Sequence, residues 1–313
     1  MRRPVGCHKS RMIAERELKT IAVLGATGRQ GSATIAALLA KGFKVIGIVR
    51  DEKKKATIEA KGAKADVANL DDVKSLSQAF EGADGLYVYF ALSFNVNYLL
   101  KQFQNIKNAA KERNIKYIIY SNGFIIRPGS GLSAFDTVIA AEDDLFANFS
   151  ACILKPTAFI DDMLPTPIND SFKITATVFA TCYDENAKFP YISTRDIGMV
   201  AANVFENPSA YRSKRIYLAS ENLTGAETLA IVSKIRNTEF TYKKLPFPLL
   251  ARIFAPKLVE FISTIDETVV AEALNNMHTI NPEYMTMEQY LISKDFKNVE
   301  LKPDSTWNSC VIS

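Results

Sequence analysis

Val23-Leu24-Gly25-Ala26-Thr27-Gly28-Arg29-Gln30-Gly31 is the stretch that decides the fold. Its three glycines stand at G-x-x-G-x-x-G spacing. An apolar run at 21–24 leads into them, and an amphipathic stretch with helical spacing, 30–41, leads away. A strand that turns on glycine into a helix offers free backbone N–H groups and a partial positive charge to a phosphate. Gly25 can take the dihedrals of the tight turn, Gly28 lets the backbone approach an anion, and Gly31 lets helix and strand pack closely. A glycine triplet alone is a weak signal. The strand before it, the helix after it and a second apolar run about 20 residues on supply the context it needs.

Outward from this loop the same alternation continues. Apolar runs at 45–49, 63–67, 85–90, 117–120 and 152–154 are separated by helical patterns at 52–61, 71–80, 96–113 and 135–148. Within 96–113, Tyr98, Leu99, Phe103, Ile106 and Ala110 recur near the 3.6-residue period of an apolar helix face. Strand–helix alternation of this length implies an α/β fold: a doubly wound parallel sheet of Rossmann type, with its ligand crevice at the strand tips. After residue 160 the alternation fades. Pro165, Pro167 and Pro190 mark 161–190 as loop with short strands. A helix is expected at 195–206, a strand at 215–219, a helix at 226–235, a strand at 240–245 and mostly helix over 247–293, where Thr286 caps 287–291. The chain thus divides into a basic tail (1–18), a nucleotide domain (19–160), a smaller C-terminal α+β lobe for substrate or partner (161–297) and a flexible tail (298–313). One strand region of the lobe can return to the main sheet.

With 313 residues, 48% of them hydrophobic, the chain can bury a sizeable core. No apolar run reaches the about 18 residues that span a bilayer. Residues 1–19 carry six Lys or Arg and two Glu, an excess of four that is the whole net charge of +4. The remainder balances at 32 basic and 32 acidic side chains. A neutral body argues against direct nucleic-acid binding, which needs a clustered basic face. The tail reads as a surface extension, with a transit peptide as the alternative. The four cysteines (Cys7, Cys152, Cys182, Cys310) and two histidines (His8, His278) show no metal-ligand spacing. Reduced thiols and a cytoplasmic location are expected, with nucleus or peripheral membrane as variants.

The second apolar run ends Ile48-Val49-Arg50-Asp51, followed by Lys53, Lys54 and Lys55. In this fold that strand tip meets the adenosine ribose. An acid there serves the free hydroxyls of NAD, whereas a cation pairs with the 2′-phosphate of NADP. Arg50 and Lys54 point to NADP(H). Asp51 competes, because it can serve a ribose hydroxyl.

Taken with these motifs, the sequence resembles the NmrA-like family of atypical short-chain dehydrogenases/reductases, from about residue 20 to 296. The glycine loop with Gln30 before its third glycine is the most specific match. Others are Ala65-Asp66-Val67, Tyr117-Ile118-Ile119-Tyr120-Ser121, Ile153-Leu154-Lys155-Pro156-Thr157-Ala158-Phe159, Tyr191-Ile192-Ser193-Thr194-Arg195-Asp196-Ile197-Gly198 and Thr286-Met287-Glu288-Gln289-Tyr290. The resemblance implies a dinucleotide held by Gly25, Thr27, Gly28, Arg29, Gln30 and Gly31 at its phosphates, with Asp66 and Val67 flanking the adenine. Phe90, Ala91 and Leu92 would face the ribose and nicotinamide. Pro156, Ala158, Phe159, Ile160 and Asp161 would line the nicotinamide end.

Reductases of this superfamily use a Tyr acid beside a Lys that lowers its pKa, spaced Tyr-x-x-x-Lys on one helix face. Here the segment reads Phe135-Asp136-Thr137-Val138-Ile139-Ala140-Ala141-Glu142. The resemblance places Val138 where the Lys belongs, and valine cannot donate a proton. Tyr120, at the end of its strand, is the remaining candidate acid. The expected function is an NADP(H)-binding regulator that senses nucleotide state through a protein partner. The alternatives are a reductase of a quinone-like or other small acceptor, and a scaffold without nucleotide, which the glycine loop disfavours. The chain ends Cys310-Val311-Ile312-Ser313, a C-a-a-X pattern that would prenylate Cys310 and give weak membrane association.

Overall fold

The computed structural model describes residues 18–89, 96–128, 132–164, 188–239 and 266–299. The basic tail, Phe90, Ala91, Leu92, the strand expected at 240–245 and Cys310 lie outside these residues. In chain order the strands are β1 (Thr20–Val23), β2 (Lys44–Val49), β3 (Lys64–Val67), β4 (Gly85–Tyr89), β5 (Tyr117–Ser121), β6 (Ala151–Pro156), β7 (Ala158–Phe159), β8 (Lys188–Ile192), β9 (Arg215–Leu218) and β10 (Glu221–Thr224). The helices are α1 (Arg29–Ala40), α2 (Lys55–Glu59), α3 (Val73–Ala79), α4 (Val96–Glu112), α5 (Ser133–Asn148), α6 (Thr194–Glu206), α7 (Gly225–Arg236), α8 (Glu267–Ile280) and α9 (Met287–Ser293).

Seven strands pair in the order β3-β2-β1-β4-β5-β6-β9, every neighbouring pair parallel. Because both faces of such a sheet are covered by helices, its central strands read as continuous apolar runs. β2 is buried from Val45 through Val49. Alternate residues then serve opposite layers. Val23, Val45, Tyr87, Ile119 and Leu154 pack with Ile35 and Leu38 of α1 and Ile197 and Phe205 of α6. Ile46, Ile48, Leu86, Val88, Ile118 and Ile153 pack with Leu76 of α3, Phe103 and Ile106 of α4 and Leu145 of α5. At the N-terminal edge, Asp84 holds β1 by accepting the backbone N–H groups of Lys19 (2.9 Å) and Thr20 (3.0 Å), and it pairs with Lys116.

Residues 194–218 lie with this main sheet: α6 covers it beside α1, and β9 extends its edge. A side chain at Gly198 would place a Cβ 2.7 Å from the backbone of Ala33, so α1 and α6 meet backbone to backbone. Asp196 on α6 is fully buried and gathers the Ser193 hydroxyl, Arg195, the Asn281 amide and the Met285 N–H.

A second, three-stranded sheet of order β10-β8-β7 carries the smaller lobe. β10 runs antiparallel to β8, and β7 parallel to it. Its core joins Ile160, Met163, Phe189 and Tyr191 to Val232 of α7 and to Met287, Tyr290 and Leu291 of α9. Both helices begin with a capping box, Thr224 with Glu227 and Thr286 with Gln289. The described part of 247–293 is therefore two helices, α8 and α9, separated by a turn over 281–286. Among the described residues no helix is long and apolar enough to cross a membrane.

Candidate functional site

The crevice opens over the C-terminal tips of β1, β2 and β4. Gly25 takes a positive φ of +68°, so the chain turns sharply as it leaves β1. The Gly28 N–H closes the turn on the Gly25 carbonyl at 2.8 Å. At Gly31 a Cβ would lie 2.2 Å from that same carbonyl, so the start of α1 folds back against the turn with no room for a methyl group. Gly28 is the N-cap of α1 and brings no capping side chain. The N-cap thus supplies no side-chain acceptor to the first N–H groups of the helix, which fits a phosphate-bearing ligand.

Thr27, Gly28 and Arg29 form one end of a groove of about 890 Å³. The groove runs along the outer face of α1, and Thr194, Arg195 and Tyr290 line its other wall. Arg29, at this end of the groove, forms an ion pair with Asp162, which lies in the turn Ile160–Met163 of the smaller lobe. Tyr89, at the tip of β4, stands over Gly25 with its ring 3.7 Å from where a Cβ would be. Burial raises the Tyr89 phenol above its ordinary value, and Asp162 adds to that. Arg29 and a hydrogen bond with Gln30 pull against it.

Besides its bond with Tyr89, Gln30 reaches inward. It is buried, and its Oε1 accepts the Tyr87 hydroxyl (3.0 Å) and the Ser121 hydroxyl (2.9 Å). It bolts α1 to β4 and β5. Asp161 is likewise committed. Its carboxylate accepts the Thr194 N–H (2.8 Å), the Thr194 hydroxyl (2.5 Å) and the Tyr290 hydroxyl (2.6 Å). Of the adjacent pair Asp161 and Asp162, only the second reaches the glycine loop. Nothing in the local sequence separates the two; the choice follows from the turn that carries them.

At the ribose end, Arg50 and Lys54 are exposed at the tip of β2. Asp51 accepts the Lys53 N–H at 3.0 Å and caps the short turn Glu52–Lys54. Its carboxylate thus has a local partner, and the cations dominate this rim. Val67, the last residue of β3, is 37% exposed. Asp66 beside it pairs with Lys64 at 2.6 Å.

At the far end of the sheet, Pro156 and Ile160 are buried, while Ala158 and Phe159 of β7 are half-buried. Val138 is half-buried on α5, one turn before Glu142. Glu142 has no exposure and receives Lys155 (2.7 Å), Arg215 (2.5 Å) and the Asn122 amide. Lys155, also fully buried, reaches the Ile126 carbonyl (2.7 Å) and Asn122 Oδ1 (3.2 Å) as well. The Tyr120 ring packs 4.8 Å from the Phe103 ring, on the layer of α4 and α5. Burial, reinforced by Glu142, drives its phenol far above the ordinary value. Tyr120 is therefore a weaker acid than a free tyrosine. Tyr89, Asp162 and the Lys155–Glu142 pair were not signalled as site residues by the sequence, although a lysine inside the buried strand Ala151–Pro156 is itself a sign of a buried charge partner. Among the described residues, no group of His, Cys, Asp and Glu is arranged to hold a metal ion.

Comparison with known proteins adds to this picture. The model of the NmrA-like family matches residues 17–306. An NmrA-like family domain-containing protein of Dictyostelium discoideum is 22% identical over 249 residues, 72% of this chain and 80% of that protein. Quinone oxidoreductase 2 of Escherichia coli is 31% identical over 104 residues, which are 33% of this chain and 36% of that protein. The structure of the Citrobacter triphenylmethane reductase complexed with NADP(H) superposes with a TM-score of 0.66 at 18% identity, covering 88% of this chain and 99% of that one. At that identity the likeness is one of fold.

Proposed function

The chain belongs to the NmrA-like family, and we propose that it is an NADP(H)-binding regulatory protein whose nucleotide state is read by a protein partner. The cleft supports the nucleotide: the N-cap of the glycine loop leaves helix N–H groups for a pyrophosphate, and the exposed cations Arg50 and Lys54 at the tip of β2 suit a 2′-phosphate. The observation that carries the regulatory reading is the state of the groups able to move a proton. Ser121 is bonded to Gln30, Lys155 to Glu142, and Tyr120 is packed against Phe103. Val138 stands where the resemblance puts the lysine.

The Arg29–Asp162 pair supplies the coupling. A pyrophosphate at the loop competes with Asp162 for the guanidinium, so occupancy is felt in the turn Ile160–Met163 of the smaller lobe. A second reading, a reductase of a quinone-like acceptor, draws support from the 31% identity with Quinone oxidoreductase 2 over one third of the chain. NADPH when bound supplies a hydride, and a quinone accepts it without a strong protein acid. Incubation of the purified protein with NADPH and a panel of quinones separates the two readings. Binding without NADPH oxidation is expected; steady oxidation would make it a reductase.

A further inference from the structure

Beyond the glycine loop the groove continues down α1, and there its lining changes character. α1 turns Ile35 and Leu38 to the sheet, and from Gln30 to Ala40 it carries no charged residue. Its outer side shows Ala33, Ala36, Leu39 and Ala40 to the groove, and Met199 of α6 adds a half-buried side chain. A surface helix ordinarily turns charged side chains outward, so this side is built like one that faces another element. The charges stand on the rims instead. Lys61, just after α2, reaches the Ser32 hydroxyl, and Lys294, at the end of α9, lies 5.2 Å over the Tyr290 ring. Among the described residues neither lysine pairs with a carboxylate. The acid on the lining, Asp161, is bonded to Thr194 and Tyr290.

We propose that this groove receives a helix of the protein partner, one with an apolar face and acidic flanks. An apolar floor between cationic rims is complementary to an anionic amphipathic segment. Helices rather than sheet edges line the groove, so an extended segment would find no strand to pair with, whereas a helix satisfies its own backbone. α1 runs for 12 residues, about 18 Å at about 1.5 Å per residue, which is room for about three turns of a second helix. Alanine on the near side lets the two axes approach to the short end of the usual range of about 8–10 Å. The groove also touches the features through which a nucleotide would be felt. Thr27, Gly28 and Arg29 form its end, and Tyr290, which holds Asp161 beside Asp162, lies in its wall. The link to the nucleotide rests on the regulatory reading above.

The probe is a fluorescein-labelled helical peptide of about 12 residues, the length of α1, titrated into the full chain and read by anisotropy. It carries leucine and alanine on one face and glutamate on the other; a counterpart with lysine for glutamate is the control. Wild type is expected to bind the acidic peptide and not the basic one. Ala36→Phe fills the groove from an exposed position and should weaken binding at least about fivefold. Lys61→Glu with Lys294→Glu should weaken it about 5- to 30-fold and leave Tm unchanged. NADPH should shift the affinity for the acidic peptide by at least about fivefold. If wild type does not bind, binds both peptides alike, or binds no better than the two variants, the groove assignment falls. If the variants lose the peptide but NADPH changes nothing, the assignment stands and the regulatory reading falls. A dimer in sedimentation that Ala36→Phe dissolves would make a second copy the occupant and overturn the proposal.

Discussion

Replacing Gly31 by alanine asks whether the glycine loop holds the nucleotide. The new methyl carbon would sit 2.2 Å from the Gly25 carbonyl oxygen and 2.7 Å from its carbon. Ordinary contact between such atoms is about 3.5 Å, so the start of α1 and the turn must part by about 1.3 Å. Both sides of the clash are backbone, so no rotamer relieves it. Overpacking of this kind costs about 1–3 kcal/mol of stability, partly offset by the better helix propensity of alanine, about 0.5–1 kcal/mol. Binding suffers more, because the displaced atoms are the N–H groups that face the phosphate; losing one charge-assisted hydrogen bond costs about 1.5–3 kcal/mol, about 10- to 150-fold. Gly42→Ala is the control. That position has φ +75° with nothing within 4 Å of the added carbon, so it loses about 1–2 kcal/mol of stability and no affinity. Calorimetric titration with NADPH and thermal unfolding of the three proteins give the answer. Gly31→Ala binding within threefold of wild type would refute the placement of the pyrophosphate at this loop.

Asp162→Asn removes the Asp162 charge from Arg29 and should raise NADPH affinity about two- to fivefold, the worth of a partly exposed ion pair; an unchanged or weaker affinity speaks against the proposed competition. Lys155→Met leaves Glu142 buried with Arg215 and Asn122 only, and is expected to lower stability by about 3 kcal/mol in urea unfolding. The double change Lys155→Met with Glu142→Gln should recover part of this, and equal loss in both would argue against the pair. Burial alone would raise the Asp84 carboxyl, but Lys116 and the N–H groups of Lys19 and Thr20 hold it below its ordinary value. A depressed folded-state pKa gives stability that is present above the unfolded value, about 3.9, and is lost as pH falls through the folded one. Asp84→Asn should therefore lower Tm near neutral pH, with the gap to wild type closing below about pH 4. A gap that is constant with pH would show that the charge of Asp84 does not matter.

The main sheet was legible because its signals are local. β1, β2, β4 and β5 are unbroken apolar runs, and glycine spacing locates the turn into α1. The smaller lobe was not. β7 is two residues long, and β10 is the polar Glu-Asn-Leu-Thr, held by its pairing with β8 rather than by its own pattern. The site was legible where backbone makes it and obscure where side chains choose between partners. Gln30 sits within the loop motif, yet its helix position turns its amide inward to Tyr87 and Ser121. Asp161 and Asp162 differ only in which side of a short turn they leave. Glu142 and Lys155 come from a helix and a strand whose pairing is a long-range fact. Helical period put Tyr98 on the buried stripe, yet it is 43% exposed, because period cannot say where the neighbouring layer ends.

Parallel titration of wild type and Arg50→Glu with NADPH and NADH tests the central claim most directly. Wild type should bind NADPH more tightly than NADH. The substitution should remove that preference by weakening NADPH about 10- to 150-fold, the worth of about 1.5–3 kcal/mol for a charge-assisted pair, while NADH changes little. Equal affinity of wild type for the two nucleotides, or an Arg50→Glu protein that still prefers NADPH, would contradict the account.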